Sequence, residues 1–231
     1  MAFPITYLLV ANKLLETENL STLSTADQAL FLLGSIAPDG VHYRKGFEGA
    51  EMKNIGEQKK ITHLCQKSNE RWGQVLDNDG WEAYVRDFLN KNRNDIQALG
   101  YAAHVLTDIY NNKGIWDDFR TKYPEEAARG YKSDYYRDLS NIDILLYFNL
   151  YHPSNIEARL AQATAKNMPG LVSAVEIHAI RDHLLYNQYK NPIMPTTETY
   201  NYVTYSDVLE FIEDATAYCA KILFTSTSNG A

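Results

Sequence analysis

The stretch that decides the fold is residues 94–112, NDIQALGYAAHVLTDIYNN. His104 and Asp108 are four residues apart, so an α-helix places them one turn apart on the same face. An imidazole and a carboxylate in that arrangement can bind a divalent metal ion. The apolar side chains of the stretch recur at spacings of three and four, the period of a buried helix face: they are Leu99, Ala102, Ala103, Leu106 and Ile109.

The residues around this pair are Ala, Val, Leu and Ile, which predicts that His104 and Asp108 are buried. Burying an ionised carboxylate without a partner costs several kcal/mol of folding free energy, unless the group becomes protonated. Asp108 therefore needs a partner. The pattern alone leaves two alternatives open for that partner, a metal ion and another side chain.

The rest of the chain has the composition of an ordinary folded protein. Its 231 residues are 45% hydrophobic and 22% charged. Helical periodicity recurs from a first amphipathic helix beginning at Pro4 to a last one ending near Leu223, without strand-turn-strand signals, repeats or linkers. We therefore predict an all-α fold, a single helical metal-binding domain over residues 1–224 and a flexible tail over residues 225–231. The domain should contain roughly seven to nine helices.

Two boundaries within this helical pattern rest on local composition. Residues Lys45 to Lys60 are polar and show little periodicity, which predicts a loop. Apolar character returns at Ile61, where a helix is expected through Trp72. Pro169 and Gly170 are expected to open a helix that continues through Tyr189.

The net charge and the cysteine content limit the possible partners and the cellular compartment. The net charge is −7 and no run of Lys or Arg occurs, which argues against nucleic acid as a partner. Two isolated cysteines, Cys65 and Cys219, predict a reduced compartment without a disulfide framework. The apolar N-terminal run lacks the features of a signal peptide, and no run is long enough to span a bilayer. The expected setting is the cytoplasm.

Two residues upstream complete a candidate metal site. Together with Asp39 and His63, the pair of His104 and Asp108 offers two imidazoles and two carboxylates, a suitable ligand set for zinc or another divalent transition metal. Each upstream residue also has a simpler explanation. Asp39 belongs to a Pro-Asp-Gly turn, and a single histidine such as His63 is commonly structural.

The order of these motifs resembles a known family. FLLGSIAPD at residues 31–39, KKITHL at 59–64 and GYAAHVLTDI at 100–109 resemble the zinc-dependent phospholipase C family, close to its small uncharacterised bacterial members. YYRDLSNIDILLYF at 135–148 resembles the next helix of that family. The resemblance implies an all-helical fold of the phospholipase C/P1 nuclease type.

The resemblance also implies roles for individual residues. Asp39, His63, His104 and Asp108 would bind one metal. Asp39 would also be the catalytic group that acts as general base or orients water, and Asp108 could bridge to a second metal.

The chain departs from the trinuclear enzymes of that family at three places. Thr6 and Tyr7 stand where a histidine is expected, and Gly114 stands where another follows the central aspartate. Asp134 and Asp138 are the nearest substitutes for a further His-x-x-x-Glu and are weaker candidate ligands. One complete site is therefore expected, and the other two are reduced or rebuilt.

The function implied is that of a metal-dependent hydrolase of phosphoric ester, chiefly phosphodiester, bonds. Its substrate would be a small phosphoester or a phospholipid-like molecule. The alternative is a non-catalytic helical protein with a single structural or ligand-binding metal. A third interpretation is that the four residues never meet and the chain is a helical interaction domain.

Overall fold

The computed structural model describes residues 3–47, 50–66, 70, 72–195 and 200–224. These residues form eleven α-helices and no strand, which confirms the predicted all-α class. The helices are α1 Pro4–Leu15, α2 Thr25–Gly34, α3 Met52–Thr62, α4 Asn78–Asn92, α5 Ile96–Lys113, α6 Ile115–Lys122, α7 Pro124–Ala128, α8 Asp134–Leu146, α9 Ile156–Gln162, α10 Ala174–His183 and α11 Tyr205–Phe224. The predicted count of seven to nine helices is too low, because short helices such as α7 carry too few residues to show a period in the sequence.

Shorter helical turns complete the chain. A 3-10 turn covers Ala37–Tyr43, and single π-helical turns extend α8 through Tyr151 and α10 through Gln188. Buried apolar side chains from Ile5 to Leu223 form one contiguous cluster. The predicted tail at residues 225–231 lies outside the described residues. Within the described part of the chain, no helix combines the length and the apolar character needed to cross a membrane.

The predicted loop at Lys45 to Lys60 is wrong, because α3 begins at Met52 within it. This helix is polar over most of its length, so it carries no apolar stripe that the sequence could display. Only its C-terminal end is buried, and there the inward side chains are Lys59, Lys60 and Thr62. The helix predicted from Ile61 to Trp72 is also wrong, since α3 ends at Thr62 and Leu64 adopts a positive φ of 55°.

The predicted start of a helix at Pro169 is wrong as well. Residues 168–172 form a tight turn, in which the Met168 and Val172 backbones pair, and α10 begins only at Ala174. The reason is a capping box. The Ser173 hydroxyl accepts the Glu176 N–H, and the Glu176 carboxylate accepts the Ser173 N–H at 2.7 Å.

The helix α5 is the centre of the fold, as the sequence predicts. Fifteen of its eighteen residues are buried, because α1, α2, α4, α6 and α11 surround it. Asp95 caps its N-terminus by accepting the backbone N–H groups of Gln97 and Ala98. A helix buried on all sides must satisfy every polar side chain it carries, and this constraint applies directly to His104 and Asp108.

Two glycines let α2 and α5 approach until their backbones touch. A Cβ atom on Gly100 would lie 2.1 Å from the Phe31 carbonyl oxygen, and a Cβ atom on Gly34 would lie 2.2 Å from the Gln97 carbonyl oxygen. Both neighbours are helix backbone, which cannot move aside as a flexible side chain can. The crossing therefore requires glycine on both helices.

We expect Gly100→Ala to lower the free energy of unfolding by about 1–3 kcal/mol, since the added methyl group forces the two backbones apart. Urea denaturation would measure the loss. The control is Gly56→Ala on α3, where the new Cβ meets only the Trp72 Cβ at 3.6 Å. There the higher helix propensity of alanine should raise stability by up to about 1 kcal/mol. Equal effects of the two substitutions would contradict the close crossing.

The buried carboxylate of Asp143 anchors the start of α1. Its Oδ1 accepts the Ile5 backbone N–H at 3.2 Å, and its Oδ2 accepts the Tyr189 hydroxyl. Burial raises the pKa of Asp143 to about 7, although both hydrogen bonds lower it. This contact joins α1, α8 and the chain after α10, and so fixes the helix that carries Tyr7.

The raised pKa makes stability depend on pH in a defined direction. Because the fold binds the Asp143 proton more tightly than the unfolded chain does, this contribution to the free energy of unfolding is complete below about pH 4 and is lost as the pH rises through 7. Asp143→Asn should flatten this dependence, whereas Asp182→Asn, at an exposed carboxylate paired with Arg181, should not. Denaturation curves between about pH 5 and 8 test this; parallel profiles for Asp143→Asn and wild type would refute it.

Candidate metal centre

The structure brings together the four residues that the sequence singled out. Asp39 comes from the 3-10 turn, His63 follows the end of α3, and His104 and Asp108 come from α5. The His63 Nε2 atom lies 3.5 Å from an Asp39 oxygen and 3.7 Å from the Asp108 Oδ2 atom. The His104 Nε2 atom lies 4.0 Å from an Asp39 oxygen and 3.8 Å from Asp108 Oδ2.

The helix crossing places two of these groups. Gly34 ends α2, and the next residue, Ser35, presents its carbonyl oxygen to the His104 Nδ1 atom at 2.8 Å. The chain then enters the 3-10 turn that carries Asp39. On the other side, the Trp81 indole N–H donates to the His63 carbonyl oxygen at 2.7 Å and holds the end of α3 in place.

Both imidazoles are held by backbone carbonyl oxygens on their outer side. His63 Nδ1 lies 2.9 Å from the Lys59 carbonyl oxygen, and His104 Nδ1 lies 2.8 Å from the Ser35 carbonyl oxygen. A carbonyl oxygen can only accept, so each Nδ1 carries a hydrogen, and each ring directs its Nε2 atom inward, where a neutral imidazole presents a lone pair. Burial lowers the pKa of His104 against the opposing effect of the two carboxylates, which favours its neutral form. This is the tautomer and orientation that metal-binding histidines have.

Three buried atoms at the centre have no hydrogen-bond partner: His63 Nε2, His104 Nε2 and Asp108 Oδ2. Their separations of 3.7 and 3.8 Å exceed the range of a hydrogen bond. Atoms bound to one zinc ion at about 2.0–2.2 Å must lie within roughly 4.4 Å of one another, and Asp108 Oδ2 lies within that range of each histidine nitrogen. The site therefore has the donors and the spacing to hold an ion.

Asp39 contributes the fourth group and is the most accessible of the four, with 20% of its side chain exposed. One ligand atom each from Asp39, His63 and His104 lies within 4.8 Å of the others, so this group could hold a metal ion. Burial raises the pKa of Asp39, but the His42 and His63 rings beside its carboxylate and the Lys59 charge together hold it well below its usual range. The carboxylate is therefore ionised at neutral pH.

Asp39 also marks the opening of the site. A cleft of about 290 Å³ lies above it and is lined by Phe3, Pro4, Asp39, His42, Tyr43, Lys59, Tyr131, Tyr136, Ile180, His183, Leu184 and Gln188. His63, His104 and Asp108 lie beneath this surface and are almost fully buried. A molecule in the cleft would therefore reach the centre from the Asp39 side.

Tyr7 closes the opposite side of the centre. Its ring stacks on His104 with centroids 3.8 Å apart, and its hydroxyl donates to Asp108 Oδ1 at 2.5 Å. Only Oδ2 of Asp108 therefore faces the centre, and a bridge from Asp108 to a second metal would require displacing this hydroxyl. The sequence marked position 7 only as one where a histidine was expected, so the contribution of Tyr7 was missed.

The weaker candidate ligands have other partners. Asp138 is buried, and its Oδ2 accepts the backbone N–H groups of Asn201 and Tyr202. Asp134 pairs with Arg137 at 2.9 Å. Neither belongs to the compact group of Asp39 and the two histidines. Their four-residue spacing on α8 resembles a ligand pair, but Asp138 instead fixes the segment before α11.

Comparison with known proteins adds no relative. No protein-family model, no curated protein and no solved structure matches the chain.

We expect Tyr7→Phe to destabilise the metal-free protein by about 1–3 kcal/mol, because the ring can still stack while Asp108 Oδ1 loses its buried donor. Urea denaturation in the presence of a chelator would measure the effect. Tyr186→Phe, at a tyrosine that is 61% exposed, is the control and should leave stability unchanged. Equal stabilities for the two variants would show that the Tyr7 hydroxyl does not support Asp108.

Proposed function

We propose that this protein is a metal-dependent hydrolase of phosphoric ester bonds, with phosphodiesters as the preferred class, and that it is a small relative of the phospholipase C/P1 nuclease type. The observation that carries the proposal is the set of unpartnered atoms of His63, His104 and Asp108, converging in a buried centre. Apolar or hydrogen-bonded groups would fill that space at lower free energy if no ion were bound there. The order of the motifs that supply these residues supports the family assignment.

The donor set favours zinc among common metal ions. Two neutral imidazoles with carboxylate oxygens suit zinc and other divalent transition metals, whereas magnesium and calcium prefer sites made of oxygen atoms alone. With Asp39 and Asp108 ionised, a divalent cation would bring the charge of the four ligands and the ion to zero. The hydroxyl of Tyr7 on Asp108 favours one ion over a cluster.

The arrangement assigns separate tasks to the residues. A divalent cation held by Asp39, His63, His104 and Asp108 would supply the Lewis acidity that lowers the pKa of water and polarises a phosphoryl oxygen. Asp39 faces the cleft, so its carboxylate can accept a hydrogen bond from the attacking water and orient it towards phosphorus. The two carbonyl oxygens behind the imidazoles keep both rings in the required tautomer. The small cleft fits a phosphodiester with small substituents better than a lipid within a bilayer.

A non-catalytic metal protein is the second candidate function. It is favoured by the near-complete burial of three of the four ligands, since structural metal sites are closed by protein groups. The exposed side of Asp39 and the cleft above it favour catalysis. Activity of the metal-loaded protein distinguishes the two functions.

The metal itself is tested by elemental analysis of protein purified after growth with zinc or manganese. We expect about one equivalent of transition metal, and we expect His104→Ala to lose most of it because the three remaining ligands hold the ion less tightly than four. His152→Ala, at an exposed histidine on the surface, should retain the metal. Wild-type protein without transition metal under these conditions would overturn the proposal.

Catalysis is tested with a chromogenic phosphodiester and the zinc-loaded protein. We expect cleavage that Asp39→Asn reduces by at least ~10²-fold, because the amide neither supplies negative charge nor orients water as a carboxylate does. Asp182→Asn should retain full activity. Circular dichroism and metal content show whether Asp39→Asn is still folded and loaded. If wild type binds metal but cleaves no faster than Asp39→Asn, the non-catalytic function is the correct one.

A further inference from the structure

A histidine outside the metal centre lines the same cleft as Asp39. His183 is the last residue of α10, and its side chain is half-buried. Its ring contacts the Tyr43 ring, with centroids 5.8 Å apart. Within the described part of the chain, its two ring nitrogens make no hydrogen bond and no ion pair. The imidazole is therefore available to a molecule bound in the cleft.

Contacts between α10 and the 3-10 turn fix the position of His183 relative to Asp39. The helix packs against this turn, and near its start Glu176 accepts an N–H of the Arg44 guanidinium at 2.7 Å. At its end, His183 packs on Tyr43, the last residue of the turn. Tyr43 follows Asp39 by four residues, which is about 8 Å along the axis of a 3-10 helix. The imidazole and the carboxylate therefore line different parts of one cleft.

Hydrolysis of a phosphodiester at this centre creates a need for a proton donor. Negative charge develops on the leaving oxygen as its bond to phosphorus breaks. Sites with two metal ions stabilise that oxygen with the second ion. Here the Tyr7 hydroxyl occupies the Asp108 oxygen that would bind a second ion. A protonated side chain beside the leaving oxygen can take the place of that ion.

The other titratable groups that line the cleft are less suited to donate this proton. Burial raises the pKa of all three of its tyrosines, that of Tyr136 to about 12, so the phenols hold their protons too tightly at neutral pH. His42 and Lys59 lie 3.5 and 4.0 Å from Asp39, the residue that orients the attacking water. In an in-line displacement the leaving oxygen points away from that water.

We propose that His183 is the general acid that protonates the leaving oxygen of the phosphodiester. This inference rests on the proposed function and extends it to the departure of the leaving group. A histidine suits the task because an imidazole can both donate and recover a proton near neutral pH.

The proposed step balances in atoms and electrons. Water gives one proton to the solvent, and the oxygen of the resulting hydroxide forms a bond to phosphorus. The bond between phosphorus and the leaving oxygen breaks, and its electron pair stays on that oxygen. The His183 imidazolium transfers its proton to this oxygen and then takes another from the solvent. Each cycle thus converts one water and one diester into a monoester and an alcohol.

The leaving group distinguishes a general acid from a structural residue. 4-Nitrophenyl methyl phosphate and phenyl methyl phosphate differ only in the nitro group, so the cleft should bind both in the same way. 4-Nitrophenoxide is a weak base and leaves without a proton, whereas the more basic phenoxide needs one. Loss of a general acid should therefore slow only the phenyl ester, while a disturbed cleft should slow both esters.

The experiment measures kcat for the two esters with the zinc-loaded full chain. For His183→Gln we expect kcat to fall at least ~10²-fold with the phenyl ester and to change less than about threefold with the nitrophenyl ester, at unchanged zinc content. His183→Asn carries the same expectation and replaces His183→Gln if that variant does not fold. His152→Gln, at an exposed histidine near Glu157, is the control and should cleave both esters as wild type does.

The outcomes separate this inference from the proposed function. Equal losses with the two esters, or no loss with either, would overturn the role of His183 and leave the proposed function standing. Wild-type protein that cleaves the nitrophenyl ester but not the phenyl ester would also overturn that role, since no proton would then reach the leaving oxygen. Wild-type protein that binds no zinc, or that binds zinc and cleaves neither ester, would overturn both.

Discussion

The contact on which the rest of the structure depends is the backbone crossing of α2 and α5. Gly34 and Gly100 allow the two helices to approach more closely than any side chain would permit. The chain leaves this crossing at Ser35, whose carbonyl oxygen holds His104, and reaches Asp39 four residues later. One steric condition in the core thus determines where two of the four converging residues lie. The central helix is therefore both the core of the fold and one wall of the site.

The centre concentrates lone pairs in a place where proteins ordinarily avoid them. Two nitrogen atoms and a carboxylate oxygen face one another without donors, while the outer sides of the same groups are all hydrogen-bonded to Lys59, Ser35 and Tyr7. A defect of packing would leave the outer contacts unmade as well. Here the rings and the carboxylate are held firmly, and only their inward atoms lack partners. Fixed orientation combined with missing partners is characteristic of a site built around a cation.

The sequence predicted those features that have a local pattern. The all-α class, the central helix and its His104–Asp108 pair followed from spacing, because a buried helix repeats its apolar residues with a fixed period. Helix α3 was missed because it is held by its C-terminal end and needs no apolar stripe. The role of Tyr7 could not be predicted from the residues, since it depends on contacts between segments distant in sequence.

The position of helix α3 determines how the protein would respond if an ion were bound at this centre. It packs chiefly against the 3-10 turn that carries Asp39, and its buried residues lie only at its C-terminal end. An ion bound by Asp39, His63 and the central helix would connect the end of α3 to the core at a single point. Local opening of α3 would then be coupled to metal occupancy. Protection of the α3 amides from hydrogen exchange would thus report metal loading, while the amides of the central helix would report only global unfolding.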